Sequence, residues 1–183
     1  MKTFKPRIKA RLRKNRQVLN KNIDNFFGWI KGAKLVELKE CNTEEDPVRP
    51  ELDNEFRTGY GRKIYGVEYQ EEIHAVMCFA YTNKIPKSVE ELEKLSTDAF
   101  LQSAMRDQAG GQIAIAYTVW SKKKGGGKLI VKEVFKKIKK SNHLNRLVTL
   151  SPLTEMATKF HTRNGAKLVQ INETTQNFEY KVI

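Results

Sequence analysis

Long apolar runs are missing from this chain. No stretch approaches the roughly 18 apolar residues that a bilayer-spanning helix needs. The basic N-terminal segment also lacks the apolar core of a secretory leader. The expectation is therefore a cytoplasmic protein with no membrane partner. Cysteine is scarce, with Cys41 and Cys78 the two in 183 residues. They lie far apart in sequence and match no metal-ligand spacing, so they read as reduced core or surface thiols, and no metal is expected. Histidine is nearly as scarce, at three residues. His74 sits in an apolar strand pattern and reads as packed. His143 follows Ser141-Asn142 in a turn and carries no signal. His161 is the one that raises a functional question.

What is present suffices for a fold. Hydrophobic residues make up 39% and aromatics 9% of the chain, enough to order it, and its length suits one domain with a real core. The net charge of +13 is unevenly placed: +9 over residues 1–32, −6 over 33–121, +8 over 122–140 and +2 over 141–183. Each basic island implies an anionic partner or a solvated face. The first, K-P-R-I-K-A-R-L-R-K-N-R, carries apolar residues at helical spacing from Phe4 to Ile30, which predicts an amphipathic arm over residues 1–32. Its basic face is either solvated or set against a polyanion, a nucleic acid or an acidic protein. Aromatics are not interleaved with its charges, so base stacking has no support. Residues 33–183 are expected to form a single domain.

Alternation and β-formers predict strands over residues 33–40, 62–70, 72–82, 112–120, 146–150, 166–172 and 177–182. Residues 41–54, with acids and two prolines, read as a loop. Two short helices are expected over 89–95 and 98–106. Leu129, Ile130, Val134, Phe135 and Ile138 give a helical stripe with lysines opposite. Ser151-Pro152 reads as the cap and first residue of a last helix that ends at Gly165, a left-handed position.

Chemistry concentrates in two places. The first is S-K-K-K-G-G-G-K, between a strand and a helix. Glycines expose backbone N–H groups, and a helix N-terminus adds its dipole, so Gly125, Gly126 and Gly127 with Lys122, Lys123, Lys124 and Lys128 suit a phosphate group. It is not a P-loop, because Leu129 follows where Ser or Thr is required. The second is T-E-M-A-T-K-F-H-T-R-N-G-A, which carries His161 directly after Phe160.

Together these segments resemble the GNAT acyltransferase superfamily. Lys122-x-x-Gly125-x-Gly127 is similar to its Q/R-x-x-G-x-G/A pyrophosphate loop. Thr154-x-x-Ala157-x-x-Phe160-His161-x-x-x-Gly165 is similar to its N-x-x-A-x-x-F/L-Y-x-x-x-G-F motif. Lys122, Thr154, His161 and Ala166 depart from the pattern. The likeness covers residues 62–183 and implies an α/β fold with a mixed, largely antiparallel sheet flanked by helices. Within that superfamily, I-A-I-A-Y-T-V-W-S, G-G-G-K-L-I-V-K, T-L-S-P and F-H-T-R-N-G-A resemble the catalytic domain of malonyl-CoA decarboxylase. That family's catalytic serine and histidine fall on Ser151 and His161. Its S-P-I-P-G-F continuation is absent here, and its long helical insertion between the two motifs is reduced to ten residues.

The resemblance implies an acyl-CoA co-substrate, acetyl-CoA or a relative. Its pantetheine would lie between strands 112–120 and 146–150, and its pyrophosphate on residues 122–128. Thr154 and Phe160 would border it. Backbone N–H groups at Val119, Trp120 and Ser121 would polarise the thioester, and His161 would protonate the leaving thiolate. As cap of the helix bearing His161, Ser151 would stand about 15 Å from it at ~1.5 Å per residue. On that geometry Ser151 is structural. The leading expectation is acyl transfer to an amine acceptor. The alternatives are malonyl-CoA-type decarboxylation by Ser151 and His161, and a non-catalytic basic module that binds nucleic acid. Glu71 and Glu72 lie near where such transferases keep an acid.

Overall fold

The computed structural model describes residues 28–106 and 110–180, with residues 14–16, 18 and 26 besides. The chain divides into two compact units, residues 1–34 and 35–183. In the first, residues 28–32 are helical, and Ala33 N donates to Trp29 O at 3.1 Å. The amphipathic helix expected over residues 1–32 otherwise falls mostly outside the described residues.

The second unit carries the sheet. Its strands are β1 (Lys34–Leu38), β2 (Lys63–Tyr69), β3 (Glu72–Thr82), β4 (Ile113–Ser121), β5 (Arg146–Thr149), β6 (Ser151–Pro152), β7 (Lys167–Ile171) and β8 (Thr175–Tyr180). Its helices are α1 (Asn54–Thr58), α2 (Val89–Arg106), α3 (Gly126–Lys139) and α4 (Glu155–Arg163). The strand order is β1-β2-β3-β4-β5-β8-β6, with β7 also paired to β8. β3 pairs antiparallel with β2 and β4, and β8 antiparallel with β5, β6 and β7, whereas β4 and β5 are parallel. The mixed, largely antiparallel sheet flanked by helices is thus the observed architecture.

β3 and β4 are buried along nearly their whole length, which explains their near-continuous apolar sequences. One face packs Ile64, Val76, Cys78, Ile113 and Ile115 around Leu92 of α2. The alternate residues, Met77, Phe79 and Ala114, face the other way, where α3 packs on β2, β3 and β4. The β2–β3 turn places Gln70 and Glu71 at φ of 54° and 64°, the left-handed pair that a tight hairpin needs.

Two expectations are corrected here. The short helices over 89–95 and 98–106 are one continuous α2, because Ser96 does not break the helix but turns its hydroxyl back to Glu93 O at 3.1 Å. The expected loop 41–54 opens with a 3₁₀ turn, Thr43–Glu45, and runs into α1.

That loop is fixed by a buried ion pair. Arg57 Nη2 lies 2.9 Å from Asp46 Oδ2, and neither side chain is exposed. Burying two charges is costly unless their remaining valences are filled, and here they are. Arg57 donates further to Leu52 O at 2.8 Å, Arg49 O at 2.7 Å and Cys78 Sγ at 3.3 Å. Asp46 accepts from the amides of Val48 and Arg49 and from Thr118 Oγ1 on β4 at 2.8 Å. Removing one partner strands the other charge, so Arg57→Ala should lose about 3–5 kcal/mol. Urea denaturation of the two single alanine variants at 46 and 57 and of the double variant checks this. The double variant should lose less than the sum, and single losses within the ~1 kcal/mol of an exposed pair would refute the anchoring role.

Candidate active site between β4 and β5

β4 and β5 run parallel from Ile113↔Arg146 to Ala116↔Thr149 and then part. The last bond between them is Leu150 N to Ala116 O, 2.9 Å. Beyond it, β4 stays paired to β3 only. The divergence coincides with a bulge: Cys78 faces Thr118 and Phe79 faces Ala116, leaving Tyr117 as an extra residue. A bulge reverses which side successive amides face. Lys122 N donates to His74 O on β3 at 2.9 Å, so by alternation Trp120 also faces β3, and the N–H groups of Val119 and Ser121 turn to the open side. The carbonyls freed at the fork are claimed by one side chain. Arg49 donates from Nε to Tyr117 O at 3.0 Å and from Nη2 to Leu150 O at 3.2 Å.

The fork opens a cavity of about 610 Å³. Val119, Trp120 and Ser121 form one wall, Pro47 and Val48 another, and Ser151, Thr154, Met156, Phe160 and His161 the third. Its surface is mostly apolar. A line of hydrogen bonds runs along one wall. His161 Nδ1 lies 2.9 Å from Tyr180 Oη, and His161 Nε2 lies 2.9 Å from Ser151 Oγ. Ser151 Oγ in turn donates to Thr149 Oγ1 at 3.0 Å. The Ser151–Thr149 bond orients the whole line: Tyr180 O–H donates to Nδ1, and Nε2–H donates to Ser151. Burial pushes the Tyr180 phenol well above its ordinary pKa, which keeps it a donor. Burial also lowers the His161 pKa to about 4, so the imidazole rests neutral. Its ring stacks on Phe178 and meets Phe160 edge-on, both at 5.1 Å.

This contact overturns the expected separation of Ser151 and His161. Ser151 is not the helix cap. Thr154 is, its side chain accepting from Ala157 N at 3.3 Å. Ser151 and Pro152 instead pair with β8 as β6, and Leu153-Thr154 reverse the chain. α4 therefore runs back alongside the segment that precedes it, bringing its second turn to Ser151.

The glycine loop lies at the same end of β4. Gly125, at φ 85°, is the cap of α3, and the first-turn amides of Gly127 and Lys128 have no intrahelical acceptor. A Cβ on Gly127 would come 3.1 Å from the Phe160 ring, and one on Gly126 would come 3.0 Å from Ser121 Cβ. A second cleft, about 560 Å³, adjoins the first and is bordered by Gly125, Gly127, Lys128, Lys159 and Arg163. The other loop lysines are differently placed. Lys122 pairs with Glu45 at 2.6 Å, Lys123 Nζ sits 4.8 Å from the centre of the Tyr69 ring, and exposed Lys124 lines neither space.

The fold thus gathers Val119, Trp120, Ser121, Lys122, Gly127, Ser151, Thr154, Phe160 and His161 around one cavity, with Gly125 and Lys128 next door. Gly126 is buried behind them against β3. Glu71 lies in the hairpin turn, and Glu72 approaches His74 at 3.7 Å; neither borders the cavity. Tyr180, Thr149, Arg49, Lys159 and Arg163 are the additions. Arg163 stands two residues after His161, where the basic last turn of the helix hints at it. Tyr180 and Arg49 carry no local signal, because only the fold brings them near.

No protein-family model and no curated protein matches the sequence. Solved structures do. A malonyl-CoA decarboxylase from Agrobacterium vitis aligns with a TM-score of 0.55 at 17% identity over 74% of this chain. This chain spans 38% of that protein's length. The GphF GNAT-like decarboxylase, in complex with isobutyryl-CoA, aligns with a TM-score of 0.61 at 10% identity, over 82% of this chain and 100% of the other. A Bacillus subtilis acetyltransferase in complex with CoA gives 0.57 at 13%, over 82% and 99%. The chain has the GNAT fold. The solved structures sharing that fold include both acetyltransferases and decarboxylases. Among the described residues no helix is long and apolar enough to cross a membrane, and no cluster could hold a metal.

The depressed His161 pKa makes a stability prediction. The unfolded chain takes up the histidine proton below about 6.5, the native chain only below about 4. Between these values the unfolded state binds more protons, so stability falls as pH drops from 6.5 to 4, by up to about 1.4 kcal/mol per pH unit. In denaturation curves across that window, His161→Phe should show a shallower pH slope than the parent. Equal slopes would mean that His161 is not held neutral.

Proposed function

We propose that the chain is an acyl-CoA enzyme that decarboxylates a malonyl-type thioester. The observation that carries this reading is the 2.9 Å contact of Ser151 with His161 on the wall of a mostly apolar cavity. The substrate's pantetheine would occupy the fork. Its diphosphate would meet the first turn of α3, with Lys128, Lys159 and Arg163 near. The thioester oxygen would receive the N–H groups of Val119 and Ser121. The carboxylate would lie between Val48, Phe160 and His161, on apolar surface that solvates it less well than water does. Loss of neutral carbon dioxide relieves that cost. The electron pair of the broken C–C bond moves to the thioester oxygen as an enolate. With the carboxylated substrate bound, His161 takes up a proton from solvent, and one imidazolium proton then passes through the Ser151 hydroxyl to the α-carbon, leaving neutral imidazole and a shortened acyl-CoA.

The pKa of His161 favours this chemistry over transfer. At pH 7 an imidazole with a pKa of about 4 is protonated about once in a thousand times. A thiolate leaving from acetyl-CoA would find almost no acid there. A carboxylated substrate brings its own anion beside the ring, and a nearby negative charge raises a histidine pKa.

N-acyl transfer is the second reading. A separate cavity of about 440 Å³ lies across the Glu45–Lys122 pair, bordered by Glu40, Asn42, Glu45 and Asn54, and suits a cationic amine.

Malonyl-CoA and acetyl-CoA, each with and without an amine, separate the readings. Carbon dioxide release from malonyl-CoA, lowered about 10²- to 10⁴-fold in Ser151→Ala and His161→Phe, is expected. Amine-dependent thiol release from acetyl-CoA that survives Ser151→Ala would replace the decarboxylase reading with transfer. Gly127→Val should abolish CoA binding in either case, because its side chain meets Phe160. Unchanged CoA affinity in that variant would refute the placement of the cofactor.

A further inference from the structure

The fold brings together the two cysteines that stand 37 positions apart in sequence. Cys78 lies in the middle of β3 and is fully buried. Cys41 follows β1, is half-buried, and lines the 440 Å³ cavity. Its position is fixed by one side chain, that of Asn54. Cys41 N donates to Asn54 Oδ1 at 2.9 Å, Asn54 Nδ2 donates to Cys41 O at 3.0 Å, and Cys41 Sγ lies 3.6 Å from Asn54 Oδ1. Its side chain packs against the core cluster that contains Cys78, and the two thiols lie close enough to shift each other's ionisation. Arg57 Nη1 donates to Cys78 Sγ at 3.3 Å.

We propose that Cys41 and Cys78 form a redox-active thiol pair, oxidised by hydrogen peroxide to an intramolecular disulfide, with Cys41 attacking and Cys78 resolving. The roles follow from access and charge. Cys41 alone of the two borders a space that a small oxidant can enter. Its thiol is lowered, chiefly by the neighbouring Cys78 side chain, while burial pushes the Cys78 thiol well up. The thiolate is the nucleophile in such chemistry. The Cys41 thiolate attacks one peroxide oxygen, the O–O bond breaks, and hydroxide leaves, taking a proton from solvent. The resulting sulfenic acid is attacked by the Cys78 sulfur. An S–S bond forms, the S–O bond breaks, and the oxygen departs as water with the Cys78 proton. Two thiols are oxidised, and one peroxide is reduced to two waters. Arg57, in contact with Cys78 Sγ, stabilises the negative charge that sulfur develops as its proton leaves.

The test uses the intact protein and needs no variant for its main arm. After treatment with hydrogen peroxide, both thiols should cease to react with a thiol reagent. The monomer should lose the mass of two hydrogen atoms, and a peptide map should show Cys41 joined to Cys78, reversibly by dithiothreitol. Two thiols that remain titratable would overturn the proposal. So would Cys41 carried to sulfinic acid while Cys78 stays free, or a disulfide formed only between chains. In Cys41→Ser, Cys78 should resist peroxide. In Cys78→Ser, a sulfenic acid at Cys41 should persist long enough for dimedone to trap it. Oxidation of Cys78 in the first variant at the parent's rate would reverse the assigned roles and so refute them.

Discussion

The Arg57 guanidinium is the constraint on which the rest of the site depends. One planar group with five donors ties the segment after β1 to β3 through sulfur, to Asp46 through charge, and to its own loop through two carbonyls. Asp46, so held, takes the Thr118 hydroxyl, and the same loop delivers Arg49 to the fork of β4 and β5. Parallel strands that separate leave backbone carbonyls without partners, and a buried carbonyl without a partner is expensive. Arg49 supplies those partners without rebuilding a strand, so the space beside β4 remains open. Lysine could not replace either arginine, because a point charge lacks the fork of donors that spans two carbonyls.

The polar line through His161 is built on the opposite principle. It holds no paired charge. Tyr180, His161, Ser151 and Thr149 are satisfied by one another in a single direction, and the aromatic rings around the imidazole exclude water. A neutral donor line beside apolar rings responds to a charge placed at its end, because the rings screen that charge weakly. That is the physical sense in which a carboxylated ligand differs from an uncharged one here.

Much of this was legible in the sequence where a local pattern determines structure. The order of the longer strands with α3 and α4, the glycine loop at the end of β4, and the stop at Gly165 are readable, because alternation, helical stripes and left-handed turns act over a few residues; α1 and β6 are too short to leave such a pattern. The run of β-formers marks both ends of β3. The failures are non-local. Ser-Pro ahead of a helix is a good cap pattern, yet Ser151 pairs with Gln176 in β8, a partner 25 positions away, and Thr154 takes the cap. The partners that set the chemistry, Tyr180 for His161 and Arg49 for the fork, have no sequence signature, since an isolated Tyr in a strand or Arg in a loop is ordinary. A separation counted along a helix axis does not apply to Ser151, which lies before the turn that leads into α4.

The bulge at Tyr117 has a consequence of parity. β4 is one strand by composition but two by phase. Up to Ala116 its alternate amides serve β5, and after Thr118 the same set serves β3, so that Val119 and Ser121 face outward. A single inserted residue thus converts a sheet hydrogen-bonded on both sides into one with a pair of unspent donors at a fixed depth beside a cavity. The open face of the strand is therefore determined by a count of residues, whatever side chains they carry. Side-chain substitution along 117–121 can reshape the wall, but only a change in chain length can turn those amides away.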